Sequence, residues 1–197
     1  MSAEFSAAEI GAAITRQVFQ RKCLLVLPNS YWTGHECDLL GIGPGMRLID
    51  VEIKVSRSDL RADAGKDKWW RRGVTRYAGL DAAGRDRYIT PADAARLWPP
   101  RVWKHYFCLP ASIWSDDLLA CLPSPACGVI TVKWHRSHPS SVPFVVARVA
   151  RRATPCRDAK PISAADALDI ARLAGLRMWD ALAAVQTPSA PEQSEAA

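Results

Sequence analysis

From Met46 to Val55 the chain reads MRLIDVEIKV, with Ile49, Val51, Ile53 and Val55 alternating with Asp50, Glu52 and Lys54. A period of two is that of a strand with one face turned to a core. Upstream, Glu36–Ile42 (ECDLLGI) reads as a second strand carrying Asp38, joined to the first by a tight turn at Gly43–Gly45. Cys23–Leu27 (CLLVL) reads as a short buried strand ended by Pro28 and Asn29. Ahead of these, Ile10, Ala13, Ile14, Val18 and Phe19 recur at helical spacing behind Ser6, with Glu9 placed to complete a capping box, so a helix comes first. After Lys54, Ser56 or Ser58 opens a polar, basic helix over SRSDLRADAGKDKWW. Val102–Leu109 and Cys127–Val132 then predict strands, Ser115–Leu122 a short helix, and Pro161–Val185 a longer one opened by Ser163 with Asp166. Strands interleaved with helices give an α/β fold, a mixed β-sheet flanked by helices, expected as a single domain over residues 1–186.

Two stretches break the pattern. Gly73, Gly79, Gly84, Pro91, Pro99 and Pro100 interrupt residues 71–100, which read as an insertion with a short helix over Pro91–Trp98 behind Thr90. The low-complexity end, residues 187–197, is expected to be a disordered tail.

Composition narrows the class. With 197 residues, 49% hydrophobic and 23% charged, the chain has enough apolar material for a core and is globular. A net charge of +6 favours an acidic partner, with nucleic acid first. Arg57, Arg61, Lys66, Lys68, Arg71, Arg72 and Arg76 form a basic run broken by Trp69 and Trp70, a pattern that suits phosphate contacts beside base stacking. The competing reading is a solvated helix with at least one of the tryptophans in the core. Arg148, Arg151 and Arg152 add a second basic cluster. Cys23, Cys37, Cys108, Cys121, Cys127 and Cys156 contain no CxxC pair, so reduced thiols in the cytoplasm are expected. The polar, acidic start is no signal peptide, and no apolar run approaches the roughly 20 residues of a membrane span.

The charged face of Met46–Val55 carries the candidate chemistry. Asp50 and Glu52 lie about 7 Å apart along a strand, where half-buried carboxylates repel unless a cation joins them. A hard divalent ion, Mg²⁺ or Mn²⁺, held by Asp38, Glu52 and the Ile53 carbonyl would resolve the conflict and leave Lys54 beside a reacting phosphate. Near a dication Lys54 is expected to lose proton affinity and act on the attacking water. His35-Glu36-Cys37 hints at zinc, but adjacent ligands on a strand point to opposite faces, so packing or a rim role is expected. His135 and His138 read as surface-loop residues, and GIGPG as a turn between strands rather than a phosphate loop.

Asp38 followed by Glu52-Ile53-Lys54, on strands joined by Gly-Pro-Gly and leading into a basic helix, resembles the PD-(D/E)XK nuclease superfamily. With the later runs YFCLP and CGVITV, the chain looks most like the MmcB-type bacterial DNA-repair nucleases and their phage relatives, over roughly residues 6–70 and 101–133. The resemblance implies a restriction-endonuclease-like fold that hydrolyses DNA with Mg²⁺ or Mn²⁺ in repair, recombination or phage DNA metabolism. It implies catalysis by Asp38, Glu52 and Lys54. Glu9 gains a second reading beside its capping one, as a further metal ligand from the first helix. Lys68-Trp69 matches a Lys-aromatic pair of the family. Implied partners are DNA, with RNA as the alternative polymer, a second copy in a homodimer, and no membrane. The setting implied is a bacterial or phage-encoded protein of the cytoplasm and nucleoid. Residues 73–100 depart from the family. The competing functional readings are a catalytically inactive nucleic-acid-binding module on the same fold, and a structural protein whose D…ExK pattern is a surface salt-bridge ladder.

Overall fold

The computed structural model describes residues 5–138 and 140–186, so the expected tail at 187–197 lies outside the described residues. The chain divides into two compact units, Met1–Pro161 and Ile162–Ala197, where the sequence reading has one domain through residue 186.

The first unit opens with helix α1 (Ala7–Ile14). Its capping box forms as expected: the Glu9 N–H donates to Ser6 Oγ at 3.2 Å, and the Ser6 N–H donates to the Glu9 carboxylate at 3.0 Å. The helix widens into a π turn, Thr15–Phe19. Strands β1 (Leu25–Ser30), β2 (Cys37–Ile42) and β3 (Leu48–Ile53) follow, then a short helix α2 (Arg57–Ala62). Four small strands occupy the insertion: β4 (Trp70–Arg71), β5 (Arg76–Leu80), β6 (Asp86–Ile89) and β7 (Ala94–Ala95). Strands β8 (Val102–Pro110), β9 (Gly128–His135) and β10 (Phe144–Arg151) complete the unit.

The sheet has six strands in the order β1-β2-β3-β8-β9-β10. Pairing is antiparallel at β1–β2, β2–β3 and β9–β10, and parallel at β3–β8 and β8–β9, so the sheet is mixed and the fold α/β. Inner strands β3 and β8 are covered on both sides. On one side Ile10, Ile14 and Phe19 pack over Leu39, Ile49, Val51, Tyr106, Ile130 and Val132. On the other, Leu60, Trp69 and Leu118 pack over Phe107, Leu109 and Val129. Burial of a Phe side chain such as Phe107 is worth about 1.5–3 kcal/mol, and truncating it to Ala would cost about 3–5 kcal/mol. Edge strand β10 escaped the sequence reading, which saw only its arginines. Its outward backbone groups are met by Gln17, whose Nε2 donates to the Val145 carbonyl at 2.7 Å and whose Oε1 accepts the Ala147 N–H at 2.9 Å.

Two expected helices are replaced. The basic helix ends at Ala62 and gives way to 3₁₀ turns at Asp63–Gly65 and Asp67–Trp69. The expected helix over Pro91–Trp98 is extended. Ala94 and Ala95 pair with Arg71 and Trp70, and Thr90 bonds Thr75 at 2.7 Å rather than capping. Gly73 is required here, because a Cβ at that position would collide with the Pro91 carbonyl. Ser115–Leu122 forms a 3₁₀ turn over Asp116–Cys121.

The second unit contains helix α3 (Ala164–Gln186). Its start is fixed as expected, with the Asp166 N–H donating to Ser163 Oγ at 3.0 Å. No described helix is long and apolar enough to cross a membrane.

Candidate active site

The alternation along β3 sorts as expected. Ile49 and Val51 enter the core beneath α1, while Asp50, Glu52 and Lys54 are buried on the opposite side. In the ladder, Leu39 lies opposite Val51 and Leu40 opposite Asp50, so the same register carries Asp38 toward Glu52. The parallel partner β8 sets His105 beside Asp50 and Phe107 beside Glu52. One face of three neighbouring strands therefore gathers Asp38, Asp50, Glu52, Lys54 and His105.

Asp38 is half-buried and accepts the Ile53 N–H at 2.6 Å, which ties the end of β2 to the end of β3. Burial pushes its carboxyl above the usual range; the Ile53 N–H opposes that, and the nearby Glu52 charge reinforces it. Among the described residues no cation lies within ion-pair distance of Asp38.

Glu52 has the opposite surroundings. Lys54 Nζ lies 3.0 Å and Lys66 Nζ 3.3 Å from its Oε2, and Lys68 Nζ is ion-paired with its Oε1. Burial alone would raise its carboxyl, yet Lys68 and Lys54 outweigh burial and the Asp50 charge and hold it low. Lys54 Nζ also lies 2.8 Å from Asp63 Oδ1. Burial works against its charge, but Asp63 and Glu52 hold the ammonium above its ordinary value. The sequence reading expects a weakened proton affinity at Lys54 beside a bound dication; the surrounding carboxylates act in the opposite direction.

Asp63 was missed by sequence reasoning. It falls in ADAGKDK, inside the stretch expected to be a basic helix, and its only signal was the surplus of lysines needing a counter-charge. It is fully buried, accepts the Trp69 Nε1–H at 3.0 Å and lies 2.7 Å from Lys66 Nζ. Burial raises its carboxyl, but the three lysines overcome this and bring it down to about 2.

The break in the basic helix explains where the expected nucleic-acid residues go. Gly65 and the two 3₁₀ turns fold the chain back, so Lys66 and Lys68 reach Glu52 instead of standing on a helix face. Lys68 is buried and Trp69 is 2% exposed, packed edge-on to His105 at 4.9 Å, so both belong to the site and not to a stacking surface. Lys66 is the half-exposed member. Arg57 is held by the Ile113 carbonyl (2.9 Å) and Ser115 (3.0 Å), and Arg72 by Asp67 and Asp93. Arg61 and Arg71 are exposed. Glu9 is exposed and its carboxylate is engaged by Ser6; the π turn and α1 bury their apolar side chains on the face of the sheet opposite Glu52. The structure shows Glu9 in its capping role.

Asp50 anchors a second group. Its Oδ2 accepts from His105 Nδ1 at 2.8 Å and from His35 Nε2 at 3.3 Å, and lies 3.9 Å from Lys68 Nζ. Burial opposes its charge, but His105, His35 and Lys68 hold the carboxyl far below the usual range. Since a carboxylate only accepts, His105 carries a proton on Nδ1, and among the described residues its buried Nε2 has no hydrogen-bond partner. His35, Cys37 and Asp50 offer ligand atoms all within 4.8 Å of one another. The expectation that His35-Glu36-Cys37 point apart holds for Glu36 alone, because His35 and Cys37 are two residues apart and share a face. This N, S and O set suits a borderline-soft ion such as Zn²⁺, whereas Asp38 and Glu52 offer hard oxygens.

No family model matches this chain, and no curated protein matches it. Among solved structures it is similar to SPO1766, a protein of unknown function from Silicibacter pomeroyi, with 14% identity over 94% of this chain and 95% of that one, and a TM-score of 0.51. At that identity the likeness shows the α/β fold alone.

Proposed function

We propose that this protein is a nuclease that hydrolyses phosphodiester bonds in DNA with Mg²⁺ or Mn²⁺, on a restriction-endonuclease-like sheet, with Asp38, Glu52 and Lys54 as its catalytic residues. One observation carries the reading. Asp38, fixed by the Ile53 N–H at 2.6 Å, is brought by the strand register to Glu52, whose Oε2 lies 3.0 Å from Lys54 Nζ.

The residues fit a hard ion. Asp38 is a half-buried carboxylate that lacks a counter-ion among the described residues and lies near a second carboxylate, the setting in which a dication lowers the energy. Of the three ammonium groups on Glu52, that of Lys66 has a half-exposed side chain on a flexible stem and can move aside. Asp38, Glu52 and the Ile53 carbonyl would hold the ion. When bound, Mg²⁺ or Mn²⁺ supplies positive charge to the phosphate and a more acidic attacking water.

The remaining work falls to this chain's own groups. Lys54, set between Glu52 and Asp63, stands where it can stabilise negative charge that develops on the phosphate and orient the attacking water. Asp63 is a positioning residue: it aims Lys54 and is itself held by Trp69. Lys68 fixes Glu52. Exposed Arg61 and Arg71 supply phosphate contacts that carry no sequence information. DNA is the proposed polymer, with RNA the alternative.

The lysines that surround Glu52 favour a second reading, an inactive nucleic-acid-binding module in which ammonium groups stand where the ion would. Incubating double- and single-stranded DNA with Mg²⁺ or Mn²⁺ separates the two. The nuclease reading expects cleavage by the wild type that is lost in both Glu52→Gln and Lys54→Ala. Binding without cleavage in the wild type selects the module. Cleavage that survives Glu52→Gln rules out this site.

A further inference from the structure

On the opposite face of β3 from Glu52, where the Gly43–Gly45 turn enters the strand, lies a cavity of about 1130 Å³. Lys22, Arg47, Lys104 and Arg152 line it around Trp103 and Tyr106. We infer that this cavity is a second binding site, built for a nucleoside polyphosphate.

The charges are the first argument. Among the described residues none of the four cations has a carboxylate within ion-pair distance; Arg47 and Lys104 are partly buried, while Lys22 and Arg152 stand exposed at the rim. Instead, Arg47 lies 5.8 Å and Lys104 Nζ 4.3 Å from the centre of the Trp103 ring, cation–π contacts that offset only part of the repulsion. Burial lowers the proton affinity of Lys104, and the neighbouring Lys22 and Arg152 lower it further. Such a group is relieved by a ligand with several negative charges. A fatty-acid carboxylate brings one charge to four cations, whereas a diphosphate brings two or three. Guanidinium and ammonium groups are the usual partners of phosphate oxygens.

The walls are the second argument. Phe19, Trp103 and Tyr106 give the cavity an apolar, aromatic lining that bare phosphate does not need. A flat base on one end of a polyphosphate uses both parts of the site. The volume, just above the ordinary range for small-molecule pockets, leaves room for a ligand of that size. The site shares no residue with Asp38, Glu52 or Lys54, so it does not depend on the nuclease reading.

Isothermal calorimetry of the full chain with ADP, in the presence of a chelator, tests the inference, with pyrophosphate and adenosine as separate arms. ADP should bind more tightly than either, and binding should weaken as salt is raised. Lys104→Ala with Arg152→Ala should weaken ADP by about tenfold or more, the size of one lost charged contact. Arg152→Gln alone, at an exposed position, should weaken it in the same direction without risk to the fold. Glu52→Gln should leave it unchanged. No binding of ADP, equal binding of pyrophosphate, or wild-type affinity in the variants that fold would overturn the inference.

Discussion

Lys54 lies between Glu52 and Asp63, at 3.0 and 2.8 Å, and those two carboxylates decide what it can do. On the proposed reading its ammonium stands beside the reacting phosphate, so Lys54→Ala should lower the cleavage rate by about a hundredfold or more while DNA affinity, measured by fluorescence anisotropy, stays near wild type. Lys66 competes with any cation for Glu52. Removing it as Lys66→Ala should tighten Mn²⁺ several-fold in a competition titration, and weaker Mn²⁺ binding would show that Lys66 is not the group displaced. Asp63 links the site to stability. Its carboxyl is lowered from 3.8 to about 2, so its contribution is complete above pH 3.8 and is lost as pH falls toward 2. The shift corresponds to about 2 kcal/mol. Asp63→Asn should therefore lower Tm at pH 7, where loss of a buried ionic partner costs about 3–5 kcal/mol, and should flatten the acid-unfolding profile between pH 4 and 2. An unchanged profile would remove Asp63 from the linkage.

At the scale of elements, the parts with a clean period were legible. β3 announced both of its faces, β2 followed from ECDLLGI and the Gly-Pro-Gly turn, and Ser6 with Glu9 and Ser163 with Asp166 marked two helix starts. The basic helix was misread for a physical reason. Ser56 caps it as expected, but the lysines after Gly65 gain more from Glu52 and Asp63 than from helix continuation, and no local propensity records so distant a partner. His105 was hidden for a related reason: its role exists only once β8 lies parallel to β3 and sets it against Asp50. The insertion shows the same limit, since its Ala-rich Pro91–Trp98 looks helical until Trp70 and Arg71 take it as a strand partner. Gly73, with its Asp93-bound N–H at 2.9 Å, lets those segments approach. Gly73→Ala should cost about 1–3 kcal/mol by thermal unfolding, as overpacking does, and a wild-type Tm would mean that Pro91 simply moves away.

For the whole molecule, the two faces of the sheet have different chemistry. One buries a network of carboxylates, lysines and histidines under α2 and Trp69; the other packs α1 and opens into a cavity rimmed by cations that have no carboxylate partner among the described residues. The net charge of +6 implies, on the proposed reading, that DNA affinity should fall as salt is raised. The central claim is narrower than that: the first face is a site for a hard divalent ion. Calorimetric titration of the purified protein with Mn²⁺ tests it most directly. The account predicts a single class of site that competes with Mg²⁺ and disappears in both Asp38→Asn and Glu52→Gln. Absence of Mn²⁺ binding, or binding that persists in both variants and is lost with His35→Ala or Cys37→Ser, would contradict it.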